Sequence, residues 1–173
     1  HKGLLGPTGT GGLYIKEPDK LSPFMLGGTG SNSKEITVPD FMPDKFEAGT
    51  LNVCSIFGLR GALLHHPAPE LTKHDLDSVV DSIAEIGCYE LYYSKKFSSW
   101  LFSINHRKKD CAVLGNELYE ERNIESRVGL HCAPVAHAFL HTFPVGSLRI
   151  SLSPYHTTND LDYLVESFKD AAR

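Results

Sequence analysis

Arg127-Val128-Gly129-Leu130-His131-Cys132-Ala133-Pro134 is the stretch on which the reading of the fold turns. A strand-like run over 124–130 leads into a histidine and a cysteine. Ala-Pro then opens a short helix over 133–142. Strand handing over to helix across so short a loop marks a layered arrangement of α and β. A thiol held there beside an imidazole is in a setting where the thiolate can be favoured and exposed. Taken alone, Cys132 reads more readily as a small buried hydrophobe.

Working outward, residues 147–153 (SLRISLS) alternate as a strand. Arg149 lies between Leu148 and Ile150 and so points to the opposite face of the sheet from them. The closing segment 158–172 is a helix with Thr158 as its N-cap and Asp160 and Asp162 in its first turn. Upstream of Cys132, residues 110–121 are helical, and 88–93 and 100–105 are strands joined by a Lys/Ser-rich turn. Residues 72–86 form an amphipathic helix with the stripe Leu76, Val79, Val80 and Ile83, closed by Gly87. The order from residue 70 is therefore α-β-β-α-β-(α)-β-α, an α+β layer around a small antiparallel or mixed sheet.

The first third reads differently. Residues 1–12 (HKGLLGPTGTGG) are a glycine-rich loop running into a short strand at 13–15, which Pro18 and Asp19 end. No nucleotide-binding glycine spacing is present, so the glycines point to a tight backbone path. A second loop, Gly27-Gly28-Thr29-Gly30-Ser31, and a Pro-bounded segment follow. A helix over 53–65 then carries Ile56, Leu59, Leu63 and Leu64 at helical spacing.

With 41% hydrophobic and 22% charged residues, the 173-residue chain has the composition of a globular protein with one sizeable core or two small ones. A net charge of −4 gives no electrostatic argument for nucleic acid or for an anionic membrane. The apolar runs fall short of the roughly 20 residues of a membrane span. Cys54, Cys88, Cys111 and Cys132 are widely spaced, with no C-x-x-C pair, which suits free thiols in a reducing, cytoplasmic setting. Cys132, His137 and His141 have a spacing that a metal site would want, but no fourth ligand is evident, and Phe139 and Leu140 suggest a packed segment. No metal is expected. The chain opens at His1-Lys2-Gly3 and reads as a piece of something longer.

Arg149 in an otherwise uncharged strand is either paired with a surface acid or set to hold a carboxylate by two hydrogen bonds. Lys2, on its own, is an ordinary surface lysine with an unusual glycine-rich sequel.

Four separated motifs, HKGLLGPTGTGGLYI, FEAGTLN, RVGLHCAP and GSLRISLSPYHTTNDLDYL, occur in an order and spacing that resembles the class V aminotransferase group of pyridoxal-phosphate enzymes. The resemblance is closest to the cysteine desulfurase and selenocysteine lyase branch and spans the C-terminal half of such an enzyme. It implies the type I fold. Residues 1–65 would be the end of the large cofactor-binding domain, and residues 66–173 the small C-terminal α+β domain, with a small mixed or antiparallel sheet covered by helices. It further implies that Lys2 is the lysine that binds pyridoxal 5'-phosphate as a Schiff base, with His1 beside the cofactor phosphate. Thr50 would reach the phosphate of the partner subunit's cofactor. Cys132 would receive sulfur as a persulfide, and Arg149 would hold the carboxylate of the amino-acid substrate. Arg127 and His131 are candidates for favouring the Cys132 thiolate.

The implied activity is conversion of L-cysteine to L-alanine in a homodimer, with sulfur passed on to an acceptor protein. The 173-residue piece would be inactive by itself, because a site needs its whole preorganised shell. Two departures mark the resemblance: residues 65–75 match loosely, and Ala133-Pro134-Val135-Ala136-His137 differs from the commoner desulfurase loop. Another class V transaminase, lyase or epimerase, and a non-catalytic α+β binding module, are the alternatives.

Overall fold

Residues 1–96 and 100–173 are described by a computed structural model, in which the chain divides into two units, His1–His66 and Pro67–Arg173. The middle of the Lys/Ser-rich turn expected between the first two strands, residues 97–99, lies outside the described residues.

The first unit is mostly loop, with single 3-10 turns at Pro18–Lys20 and Asp44–Phe46 and one α-helix, α1 (Val53–Leu64). Asn52 caps α1 by accepting the Ser55 N–H at 3.2 Å. The strand expected at 13–15 does not form. A strand is held by its ladder, and no strand among the described residues pairs with this segment, which leaves Leu13 80% and Tyr14 86% exposed. The apolar spacing expected in α1 gives a helix but not a buried stripe. Ile56, Leu63 and Leu64 are exposed and Leu59 is half-buried.

The second unit contains, in order, α2 (Lys73–Glu85), β1 (Tyr89–Tyr92), β2 (Leu101–His106), α3 (Cys111–Arg122), β3 (Arg127–Gly129), α4 (Pro134–Phe139), β4 (Ser147–Ser151) and α5 (Thr158–Ala171). This is the order expected from residue 70 onward. The sheet runs β1-β2-β4-β3 and every neighbouring pair is antiparallel.

Alternation along the strands decides the two faces. Tyr89, Phe102, Ile104, Leu148 and Ile150 are buried on one face, beneath α2, α3 and α5. Full burial of a side chain of this size is worth roughly 1.5–3 kcal/mol, so this face anchors the unit. The α2 stripe Leu76, Val79, Val80 and Ile83 is buried as its spacing demands. Ser103, Asn105, Arg127, Ser147 and Arg149 occupy the opposite face.

Three local expectations need correction. The strand expected over 124–130 is ordered only at Arg127–Gly129. Asn123 ends α3 in the left-handed region at φ 53°, and Gly129 leaves the extended region at φ 95°. Thr157, not Thr158, caps α5. A capping box needs its acid three residues on, and Asp160 accepts from the Thr157 N–H and hydroxyl at 2.7 and 2.9 Å. Phe139 and Leu140 do not mark a packed segment, since α4 turns Phe139 outward, 83% exposed.

Candidate active site

The Cys132 loop is a tight turn pinned at its base. The Ala133 N–H donates to the Leu130 carbonyl at 2.8 Å. The two central residues, His131 and Cys132, have φ of 52° and 61°. Both lie in the left-handed region, the sense of a type I′ turn, which ordinarily favours Asn-Gly. Residues bearing side chains are held there at a cost of about 1 kcal/mol or more each, a strain that recurs at functional sites. The turn lifts Cys132 to an exposed position.

At the base of the loop, Gly146 (φ 91°) lies so close to Gly129 that a Cβ on Gly146 would overlap the Gly129 backbone. Only glycine permits both that approach and that φ.

Arg127, at the start of β3, sends an Nη2–H to the Cys132 Sγ at 3.3 Å. A guanidinium N–H beside sulfur is a donor suited to the anionic, nucleophilic form of the thiol. His131, the other helper expected from the sequence, faces elsewhere. Its Nε2 lies 3.3 Å from the Ser147 hydroxyl, and its Nδ1 is buried with no partner among the described residues. Burial, reinforced by the charges of Arg149, His137 and Arg127, pushes its pKa below the ordinary histidine value. The imidazole is therefore neutral at neutral pH, and of the two helpers Arg127 is the one that reaches the thiol.

Arg149 sits directly across the β3–β4 ladder from Arg127. Among the described residues no carboxylate pairs with it, and its Nε is buried without a hydrogen-bond partner. Asn105, on β2, donates from Nδ2 to the Gly146 carbonyl at 3.0 Å, while its buried Oδ1 also lacks a partner. Buried polar atoms left unpaired are costly, and here they gather on one face of one sheet. That face offers Arg149 Nε–H as a donor to an anionic group and Asn105 Oδ1 as an acceptor for a ligand N–H or O–H.

The remaining expected residues belong to the first unit. Lys2 is exposed, in a turn closed by the Leu5 N–H donating to the Lys2 carbonyl at 2.8 Å. The loop that carries it lies against α1. A Cβ on Gly58 would meet the Pro7 ring, and the His66 ring Nε2 is 2.9 Å from the Gly3 carbonyl. Thr50 is exposed, just after left-handed Gly49, whose N–H donates to the Gly28 carbonyl at 2.9 Å. His1 is exposed at the chain start.

The Cys132, His137 and His141 spacing resolves differently. His137 is buried with its Nδ1 2.7 Å from the Thr142 hydroxyl. Among the described residues no group of three His, Cys, Asp or Glu side chains is placed to hold a metal ion. Nor is any helix among them long and apolar enough to cross a membrane.

Asn105, Thr142 and Ser147 escaped the sequence reading. An asparagine inside the alternating run Ser103-Ile104-Asn105-His106 was the one available signal.

A family model described as Aminotransferase class-V matches residues 1–164. A probable cysteine desulfurase of Methanothermobacter thermautotrophicus is 34% identical over 99% of this chain and 46% of its own length. Cysteine desulfurase CsdA of Escherichia coli is 33% identical over 96% of this chain and 43% of its own. The crystal structure of that E. coli enzyme in its S-sulfonic acid form superposes with a TM-score of 0.69 at 27% identity, covering 87% of this chain and 38% of the enzyme. The apo structure of a cysteine desulfurase from Thermococcus onnurineus, 19% identical, shares the fold with a TM-score of 0.65 over 75% of this chain and 34% of that one. The chain spans less than half the length of the curated relatives it matches.

Proposed function

The chain belongs to the class V aminotransferase family, and we propose that it is the C-terminal part of a pyridoxal-phosphate-dependent cysteine desulfurase. On this reading His1–His66 closes the large domain, and Pro67–Arg173 is the small domain of the type I fold. The observation that carries the proposal is the exposed Cys132 thiol on a left-handed turn with the Arg127 guanidinium 3.3 Å away, on the sheet that also bears Arg149. Relatives named cysteine desulfurase support the substrate class.

The residues present fit the cofactor. Lys2 offers an exposed primary amine that makes no ion pair among the described residues, which suits an aldehyde. Thr50 offers an exposed hydroxyl after a left-handed glycine, and His1 an imidazole, both suited to a phosphate. Lys2 and His1 would hold the group, and Thr50 would reach the phosphate of the group held by the partner subunit. When bound, it supplies an electron sink at the substrate α-carbon.

The protein's own part follows from its side chains. Arg149 clamps the substrate carboxylate, which converts binding into orientation. Lys2 moves the α-proton. The Cys132 thiolate then attacks the sulfur of cysteine. An S–S bond forms as the C–S bond breaks, and the C–S electron pair stays on carbon, which takes a proton to become alanine. Cys132 is left as a persulfide, from which an acceptor thiol removes the sulfur. We assign this activity to a homodimer in a reducing, cytoplasmic compartment, a setting the four free cysteines suit.

Full-length protein given L-cysteine should form alanine and one persulfide on Cys132, detected by mass spectrometry. Cys132→Ser should abolish both while leaving bound cofactor absorbance unchanged. Alanine formation at the wild-type rate by the serine variant would overturn the role of Cys132.

A further inference from the structure

Beneath the Cys132 turn lies a buried pair that the reaction does not itself use. His137, on α4, is 4% exposed and Thr142 is 8% exposed. The His137 Nδ1 is 2.7 Å from Thr142 Oγ1, and Thr142 Oγ1 lies 3.4 Å from the His137 carbonyl. One proton pattern satisfies both contacts: the hydroxyl donates to the carbonyl and accepts from Nδ1–H. The same carbonyl also accepts the backbone N–H groups of Thr142 and Phe143, at 2.9 and 3.2 Å. His137 is thus the hub on which the chain reverses after α4.

Two links run from this hub to the thiol. The first goes through the backbone. The Thr142 carbonyl accepts the Gly146 N–H at 2.6 Å, and the Gly146 carbonyl accepts from Asn105 Nδ2. Gly146 in turn sits against Gly129, where the Cys132 loop begins. The second goes through rings. The His137 and His131 rings lie 5.3 Å apart, and His131 reaches Ser147. Together they enclose a turn whose two central residues are held left-handed. A strained turn persists only where its surroundings over-determine it.

From this we infer that His137 and Thr142 are positioning residues for Cys132, fixing where its sulfur sits relative to Arg149. The inference rests on the desulfurase reading for its catalytic consequence, but not for its effect on the thiol. Both residues are buried, at 4% and 8% exposure. Their loss should lower kcat for alanine formation with little change in KM for cysteine, because the Arg149 clamp is untouched. Displacing the sulfur by a fraction of an ångström should cost on the order of tenfold in rate.

The test uses full-length, cofactor-loaded protein with two readouts: the rate of Cys132 alkylation by iodoacetamide, followed by peptide mass spectrometry, and kcat with KM for alanine formation. Thr142→Val keeps the shape and removes both hydroxyl contacts. It should change the alkylation rate and lower kcat several-fold with KM held. Thr142→Ser, which keeps the hydroxyl contacts and both rings, should restore wild-type values. If Thr142→Val does not fold, His137→Gln carries the same test, because its amide lies one bond further out. A folded Thr142→Val or His137→Gln with wild-type alkylation and wild-type kcat overturns the positioning role. So does a serine variant as impaired as valine. Wild-type protein that alkylates normally but forms no alanine would defeat the desulfurase reading instead, and the alkylation comparison would still decide the positioning role.

Discussion

Arg127 and Arg149 face each other across the β3–β4 ladder, two guanidinium groups at one register on the same face of the sheet. Like charges directly opposite in a sheet are unfavourable. The pair is tolerable if each cation has its own anionic partner. Arg127 donates to the Cys132 sulfur at 3.3 Å. Arg149, whose Nε has no hydrogen-bond partner among the described residues, pairs with no carboxylate there.

Replacing Arg149 by lysine keeps the charge and removes the two-pronged fork. In full-length protein Arg149→Lys should lower kcat/KM for cysteine on the order of 100-fold, largely through orientation. Steady-state alanine release measures this, and a loss under threefold would exclude Arg149 as the clamp.

Arg127→Ala removes the donor to Sγ. Alkylation of Cys132 at neutral pH should slow on the order of tenfold, the worth of one hydrogen bond to a charged group. Unchanged labelling kinetics would mean that the 3.3 Å contact does not govern the thiol.

At Gly146, alanine would meet both the Gly129 backbone and a left-handed φ of 91°. Gly146→Ala should therefore lose about 2 kcal/mol or more of stability. Urea unfolding of the variant would show it, whereas a midpoint equal to wild type would mean that the β3–β4 end can open without penalty.

Acid should weaken the second unit in two separate windows. Burial lowers the pKa of His106 and of His131 below the ordinary 6.5. Their neutral forms are favoured in the fold, so their contribution is complete above pH 6.5. It declines as pH falls from there toward the folded values, because the unfolded chain takes up protons first. The hydrogen-bonded carboxylates Asp75 and Asp160, held below 3.8, lose their contribution only at still lower pH. His106→Asn keeps an acceptor for the Lys108 and Lys109 N–H groups and removes the titration. Its urea midpoint should drop less than wild type between pH 7.5 and 5.5, and an identical drop would exclude His106 as a source of the slope.

The second unit was largely legible because its elements carry local signals. The four apolar residues of α2 recur at helical spacing, and SLRISLS alternates. The first unit was harder to read. Residues 13–15 look like a strand by composition, but strand formation depends on a neighbour, and neighbours are not written in a local pattern. The cap of α5 was misplaced by one residue because two threonines stand side by side and only the position of Asp160 separates them. Within the site, Cys132 and Arg149 were reached through motifs. The direction in which His131 faces was not, since it depends on a positive φ that a histidine rarely adopts. His137 suggested a metal ligand by spacing and proved to be the buried partner of a threonine five residues on.

The Gly129–Gly146 contact has a consequence for how the loop can change through time. Because these glycines close the neck, residues 130–145 form a lobe whose ends are tied, in the manner of an Ω-loop. Insertions or substitutions within the lobe need not disturb the register of β3 against β4. Val135 and Phe139 are exposed on the lobe. The lobe can therefore vary on its outer surface while the Cys132 turn stays anchored at the same neck.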